Sequence, residues 1–383
     1  MNLPYVRISF QNGQLGLTEP TADGVCGLIP DGAVVVNNYL EHNDAAYLIT
    51  SLSDVTVSGT DALTYEMIRE FFDEAGDGAY LWILNAKPTT SAAGITSLQT
   101  LSGGACRAIA VTTPLGSSGT VTAIQGLEAA VEDLEEDLYA PVLVVAGIKA
   151  PTTPGNAVDI TLAESSHVAV VCGNELTGVT ATDALLDDAA AVGLLLGRIA
   201  KTSVQTSVAR VSDGAMKAST MALGTDVVTL SSSSALSTKG YIVPRTWTGK
   251  AGFFWSSDCT ATGATDDYGL IPRRRTIDKA FRITYQTLVE QVGMQIPVTS
   301  DGTIPTTTAK SIEAAVETAL ERGMANAGNL GADPDDDTDN GIKVYVDPSQ
   351  NVVSTNKIVV DVKVKPYGYA YYLEANLSFY TTD

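Results

Sequence analysis

Short, dominantly apolar runs alternate with amphipathic helical stretches through the first half of the chain, and this rhythm constrains the fold more than any other feature. The runs are "AYLWILNA" from Ala79, "CRAIAVTT" from Cys106, "PVLVVAG" from Pro141 and the stretch from His167 to Cys172. A strand that is apolar on both faces needs cover on both, which is the condition of a parallel sheet flanked by helices. Between the runs, Leu63, Met67, Ile68, Phe71 and Phe72 recur at helical spacing from about Asp61 to Ala75, with Gly76 as a stop. Further helices are expected from about Thr122 to Leu138 and from Thr182 to Ile199, the latter carrying Leu185, Leu186, Val192, Leu195, Leu196 and Ile199. The expected fold class is α/β plus α+β: an N-terminal α/β layer with a mixed, largely parallel sheet, then a C-terminal α+β domain, with extended arms at the termini.

Composition bounds the possible functions. A chain of 383 residues, 45% hydrophobic and 17% charged, can bury a core without disulfides or metals. The longest apolar stretches, such as "APVLVVAGI" from Ala140, are strand-sized and far below the roughly 20 residues of a membrane span, so no membrane insertion is expected. The opening MNLPYVRISF lacks the charged-then-apolar pattern of a signal peptide, so classical secretion is not expected. Cys26, Cys106, Cys172 and Cys259 are widely scattered with no CxxC pair, the usage of reduced, buried thiols. A net charge of −21 argues against a nucleic-acid partner, which demands clustered Lys and Arg. Residues 1–270 hold 12 basic and 29 acidic groups, a balance of −17, whereas residues 271–383 hold 11 and 15, a balance of −4. The two regions are therefore expected to face different neighbours.

Past the alternating half, residues from Ser203 to Tyr268 turn rich in Ser, Thr and Gly and read as irregular strands and loops, ending in a compositional seam from Gly252 to Pro272. The expected organisation is an N-terminal arm at 1–20, an α/β domain at 21–250 and a C-terminal domain at 251–383. The last region reads as helices from about Arg275 to Val292 and Thr308 to Met324, an acidic loop, and three strands.

Motifs for chemistry are nearly absent, and neither catalysis nor a cofactor is expected. Gly249, Lys250 and Ala251 only graze a phosphate loop, since Ala replaces the magnesium-holding Ser or Thr. The two histidines are His42, in a polar turn, and His167, opening an apolar strand where a structural role outweighs catalysis. The spacing from Asp336 through Thr338, Asn340 and Gly341 to Asp347 touches that of a calcium loop. Because "IKVYVDP" follows as a strand and not a helix, the segment from Asp333 to Asp347 reads as an exposed solubilising loop in preference to a calcium site, and no metal ligand is assigned. Arg273, Arg274 and Arg275 are expected to pair with Asp266, Asp267 and Asp278, or with an acidic partner subunit.

The two chain ends carry the strongest interaction signal. Near the start, Val6, Ile8 and Phe10 alternate with Tyr5, Arg7 and Ser9. Toward the end, Ile358, Val360, Val362 and Val364 form one face, and after Pro366 and Gly368 the pattern resumes in Tyr371, Leu373, Ala375, Leu377 and Phe379. Strands at both termini either tuck into their own sheet or add to a neighbouring copy.

Three stretches resemble the contractile tail sheath family of phages and related injection systems. They are "GLLLGRIAKTSVQTSVARVSDGAM" from Gly193, "GLIPRRRTIDKAFR" from Gly269, and the order of elements from Ser311 to Phe379: a helix ending in Gly323, an acidic gap, "IKVYVD", Asn356, a strand, "KPYGYA" and a last strand. The Pro-rich continuation usual after the first stretch is missing. The resemblance implies a sheath-type C-terminal domain lying against an inner tube, with Lys310 and Arg322 as tube-facing groups, and an α/β domain further out. It also implies that Tyr5, Val6, Ile8, Phe10, Val360, Val362, Val364, Tyr371, Leu373, Leu377 and Phe379 form strands linking subunits. The implied partners are other copies in stacked rings or a helix, an inner tube protein, and baseplate and terminator proteins. Assembly in the bacterial cytoplasm, as part of a virion tail or an injection particle, follows from the same likeness.

Overall fold

The structure, a computed structural model, describes residues 22–43, 45–116, 120–175, 190–223 and 226–380. The expected strand at Tyr5–Phe10 and the first half of the helix expected from Thr182 lie outside the described residues. The chain divides into two compact units, Met1–Asp278 and Lys279–Asp383, whereas the compositional seam lies between residues 252 and 272.

The first unit is built on β1 (Cys26–Ile29), β2 (Glu41–Asn43), β3 (Ala46–Ile49), β4 (Leu81–Leu84), β5 (Ala108–Leu115), β6 (Leu143–Ile148) and β7 (Val168–Cys172), joined in one sheet in the order β2-β3-β4-β1-β5-β6-β7. Pairing is parallel from β4 to β7 and antiparallel only at the β2 and β3 edge, so the mixed, largely parallel sheet expected from the apolar runs is present. Around it run α1 (Ala62–Ala75), α2 (Ser91–Leu101), α3 (Thr120–Asp137) and α4 (Val192–Lys201). Cys26 of β1 directs its Sγ at the Leu196 carbonyl of α4, and a Cβ on the next residue, Gly27, would meet Leu98 of α2 at 2.7 Å. Since successive strand residues face opposite ways, α4 and α2 cover opposite faces.

Short elements complete this unit: β8 (Asn174–Glu175), β9 (Met221–Leu223), β10 (Asp226–Val227), α5 (Leu230–Ser237), β11 (Pro244–Arg245) and β12 (Phe254–Trp255). The Ser- and Thr-rich middle shields the open edge of β7, where Ile242 bridges Val171 in parallel and Ala261 bridges Ser165. That protection matters because an unpaired parallel edge invites association.

Helix α6 (Ile271–Val289) crosses from the first unit into the second, where α7 (Thr306–Leu320) ends in a widened turn, Glu321–Ala325. Then come β13 (Ile342–Tyr345), a single turn α8 (Val352–Thr355) and β14 (Asp361–Val364). The antiparallel β13 and β14 pair Ile342 with Val364, Lys343 with Lys363, Val344 with Val362 and Tyr345 with Asp361. Ile304, Ala309, Ile312 and Val346 form the small core, with Ile358 and Val360 packed against it. Two expectations need correction here. The strand expected over Ile358–Val364 shortens to its last four residues because Ile358 and Val360 are drawn into this core. Over Tyr371–Phe379, where a strand is expected, the described residues show no strand pairing.

Candidate assembly site and buried charge network

The one cluster of titratable groups with metal-ligand character among the described residues is buried in the first unit. Glu135 on α3, His167 leading into β7 and Asp278 on α6 offer ligand atoms within 4.8 Å of one another. Arg274 already fills the centre: its guanidinium lies 2.7 Å from Glu135 and 2.7 Å from Asp278. His167 contacts Glu128 through Nδ1 and Glu135 through Nε2, each at 2.8 Å, and its backbone N–H donates to Glu128. Burial pulls the imidazolium down, but hydrogen bonds to Glu128 and Glu135 outweigh it and raise His167 to about 9. Burial also works against the Glu135 carboxylate, yet His167 and Arg274 hold it below the usual range. Three carboxylates and two cations form an internal salt cluster in which Arg274 bonds to two of the carboxylates and His167 to the third and to Glu135.

Of the arginine triplet, Arg274 meets Asp278 as expected, while Arg275 instead donates to the backbone carbonyls of Asp23, Thr202 and Ser203. Asp266 turns to Thr262 and Tyr268 instead. The cluster itself was missed from sequence. Its signal was available in Glu128 and Glu135, seven residues apart and on the same side of α3 as Leu127, Val131 and Leu134.

The thiols are held protonated by burial. Cys26, Cys106 and Cys172 are buried, and burial pushes Cys106 and Cys172 up to about 12 and Cys259 up to about 11. The acidic loop folds onto itself: Asp333, Asp336 and Asp339 accept backbone N–H groups of Asp335, Thr338 and Gly341, and Asp339 also holds Lys365 at 2.8 Å. His42 stacks against Tyr47 across the β2–β3 pair.

The assembly candidates gather in the second unit. Val362 and Val364 sit in β14, half-buried, on the side of Ile342 and Val344. A sheet of two strands is at the margin of stability and leaves an unpaired edge on each side. From Lys365 to Tyr380 the chain has neither helix, strand nor turn, and Leu373, Leu377 and Phe379 are 87%, 97% and 103% exposed. Apolar side chains on that scale are rarely left in water without a function. Lys310 is exposed near the start of α7 and pairs with Glu313, which also accepts the Val346 N–H; Arg322 is exposed in the widened turn. Tyr5, Val6, Ile8 and Phe10 lie outside the described residues.

This fold, an α/β layer followed by a small α+β unit, is similar to that of solved sheath tail proteins. The chain is similar over 99% of its length, and 99% of the other's, to a chain of the anti-feeding prophage helical sheath in its contracted state, with TM-score 0.66 and 18% identity. It matches a chain of the anti-feeding prophage baseplate over the whole of both, with TM-score 0.64 and 17% identity. The sheath tail protein of Desulfitobacterium hafniense aligns with 94% of this chain and 99% of its own, with TM-score 0.53 and 11% identity. The chain belongs to the DUF2586 family, whose N-terminal domain matches residues 3–259 and whose C-terminal domain matches residues 267–382. No curated protein matches it. Among the described residues, no helix is long and apolar enough to cross a membrane.

Proposed function

We propose that the chain is the structural subunit of a contractile sheath, which polymerises helically around an inner tube and shortens to drive that tube through a target envelope. The observation that carries this reading is the mismatch within the second unit. Within a fifteen-residue apolar and aromatic segment after Lys365, Leu373, Leu377 and Phe379 are almost fully exposed and belong to no strand among the described residues, beside a sheet of two described strands. Strand addition between copies satisfies both. Tyr371, Leu373, Leu377 and Phe379 of one copy pair beside Val360, Val362 and Val364 of the next, and the N-terminal Tyr5, Val6, Ile8 and Phe10 supply a second link.

The likeness to the anti-feeding prophage sheath supports the same reading. Lys310 and Arg322 face the tube, and baseplate and terminator proteins meet the two ends. The particle assembles in the bacterial cytoplasm. Contraction draws on the free-energy difference between two lattice packings. A gain of about 1 kcal/mol per subunit, repeated cooperatively along an array, makes the change one-way.

Negative-stain microscopy of the purified protein tests the proposal. Helical tubes of wide bore are expected at high concentration. A discrete monomer or small closed oligomer that saturably binds a small ligand overturns it.

A further inference from the structure

The sheath reading leaves unexplained an opposition of charge between two surfaces of the chain. Helix α3 carries six acidic residues and no basic one. Glu128 and Glu135 are consumed by the internal cluster with His167 and Arg274. Glu132, Asp133, Glu136 and Asp137 point to solvent, and none has a hydrogen bond or ion pair with a described residue. They occupy the last two turns, where the helix dipole is itself negative and no basic residue offsets it. Leu138 and Tyr139, 42% and 47% exposed, continue the surface, and Tyr139 holds a backbone φ of 52°, which an L residue seldom adopts. The acidic end is thus raised on a fixed corner and adjoined by apolar side chains, in a place where it costs the isolated subunit stability.

The second unit carries the complementary liability. On the outer face of the β13–β14 sheet, Lys343 stands directly opposite Lys363, a like-charge pair that weakens the sheet. Lys357 is exposed just before β14, Tyr345, 53% exposed, gives the face an apolar corner, and the exposed Asp361 opposite Tyr345 leaves the face with a net positive charge. Lys365 is taken by Asp339, but Lys343, Lys357 and Lys363 have no ionic partner among the described residues.

We infer that the lysine face of β13–β14 is a docking surface for a second copy of this chain, and that its occupant is the acidic end of α3, from Glu132 to Tyr139. Four carboxylates flanked by Leu138 and Tyr139 meet three ammonium groups flanked by Tyr345. Each side relieves the repulsion that the other suffers alone. The contact rests on the sheath reading, but it is distinct from strand exchange: it uses the outer face of the sheet, which leaves the hydrogen-bonding edges free for terminal strands. Because these are surface charges, they set which copy docks and in what register more than how tightly it holds.

Charge exchange tests it. Glu132→Lys with Glu136→Lys should abolish wide-bore tubes. The same pair should raise the thermal midpoint of the unassembled subunit, because lysine suits the end of a helix. Lys343→Glu with Lys363→Glu should also abolish tubes, and combining the four changes should restore them. Zero-length carboxyl-to-amine crosslinking of wild-type assemblies should join peptide 132–137 of one copy to Lys343, Lys357 or Lys363 of another. If wild-type tubes form and either reversal leaves them intact, or the combined variant stays unassembled, the docking contact is overturned while the sheath reading stands. If wild-type protein forms neither tubes nor crosslinked pairs, both fall.

Discussion

The Arg274 guanidinium lies 2.7 Å from the Glu135 carboxylate, joining two helices 139 residues apart in sequence. Asp278, one turn along α6, also binds Arg274, and His167, leading into β7, also binds Glu135. The N-terminal half of α6 is thereby bolted to α3 and to the sheet. Removing one member strands the others in a low-dielectric interior, where an uncompensated charge costs about 3–5 kcal/mol. Arg274→Met should therefore lower the unfolding free energy by that order in urea titrations. Adding Glu135→Gln should recover part of the loss, because it removes one of the orphaned charges. Equal and additive losses would mean that the two side chains are not coupled.

The same cluster fixes a pH dependence. His167 is raised in the folded state from an ordinary value of 6.5 to about 9, so its ionic contribution is complete below pH 6.5 and lost as pH climbs through 9. A shift of this size corresponds to about 3 kcal/mol. Thermal midpoints measured from pH 6 to 10 should fall across that interval in the wild type and less steeply in His167→Gln. The imidazole C2 proton, followed by NMR, should titrate near 9.

Much of the α/β layer could be read from the chain because its signals are local. Helix α1 announces itself through apolar spacing, through Asp61, whose carboxylate accepts the Thr64 N–H, and through Gly76 with φ of 88°. The runs that became β4 to β7 are apolar because helices cover both faces. What escaped is what depends on distant contacts. Strand β1 sits at the centre of the sheet, yet "CGLI" gives no strand signal, because Gly27 is there to admit Leu98 and Ile109. Helix α2 is built largely from small and hydroxylated residues, with Ile95, Leu98 and the half-buried Leu101 as its large apolar anchors, too weak a stripe to register. For the assembly site, the alternating pattern of Leu373, Leu377 and Phe379 was plain, but alternation cannot say which molecule supplies the partner strand.

Helix α4 approaches α1 across two glycines one turn apart. A Cβ on Gly193 would lie 2.2 Å from the Met67 carbonyl, and one on Gly197 would lie 2.7 Å from that of Phe71. Both obstacles are backbone, which cannot rotate away. Gly193→Ala should destabilise the first unit by about 1–3 kcal/mol through overpacking, despite the gain in helix propensity. Denaturant midpoints check this, and Gly126→Ala on α3, where a Cβ meets nothing within 4 Å, is the control expected to be neutral or stabilising.

Glu70 is a second buried acid, held in an unfavourable state. Burial and the neighbouring Glu175 raise its pKa well above 4.5, while the Leu194 N–H at the start of α4 partly offsets them. A carboxyl raised in this way penalises the fold above the unfolded value, and the penalty fades as pH drops below it. Glu70→Gln should therefore stabilise the protein at pH 7 and bring no gain at pH 4, a difference readable from paired melting curves.

Deleting the chain after Lys365 separates the role of the terminal segment from that of the fold. Leu373, Leu377 and Phe379 are at least 87% exposed, so the subunit loses almost no buried area with these three, and its melting temperature should fall only by what the half-buried Tyr369 contributes. Within an assembly the same three side chains, each worth about 1.5–3 kcal/mol when covered, would combine with backbone hydrogen bonds of about 0.5–1.5 kcal/mol apiece. The truncated protein should accordingly remain a soluble monomer by light scattering at concentrations where the full chain forms tubes. Leu373→Asp with Leu377→Asp should reproduce the defect in full-length protein by penalising burial alone. Normal tubes from both variants would remove the terminal segment as the link between copies, and a larger drop in melting temperature would mean that it packs on its own subunit instead.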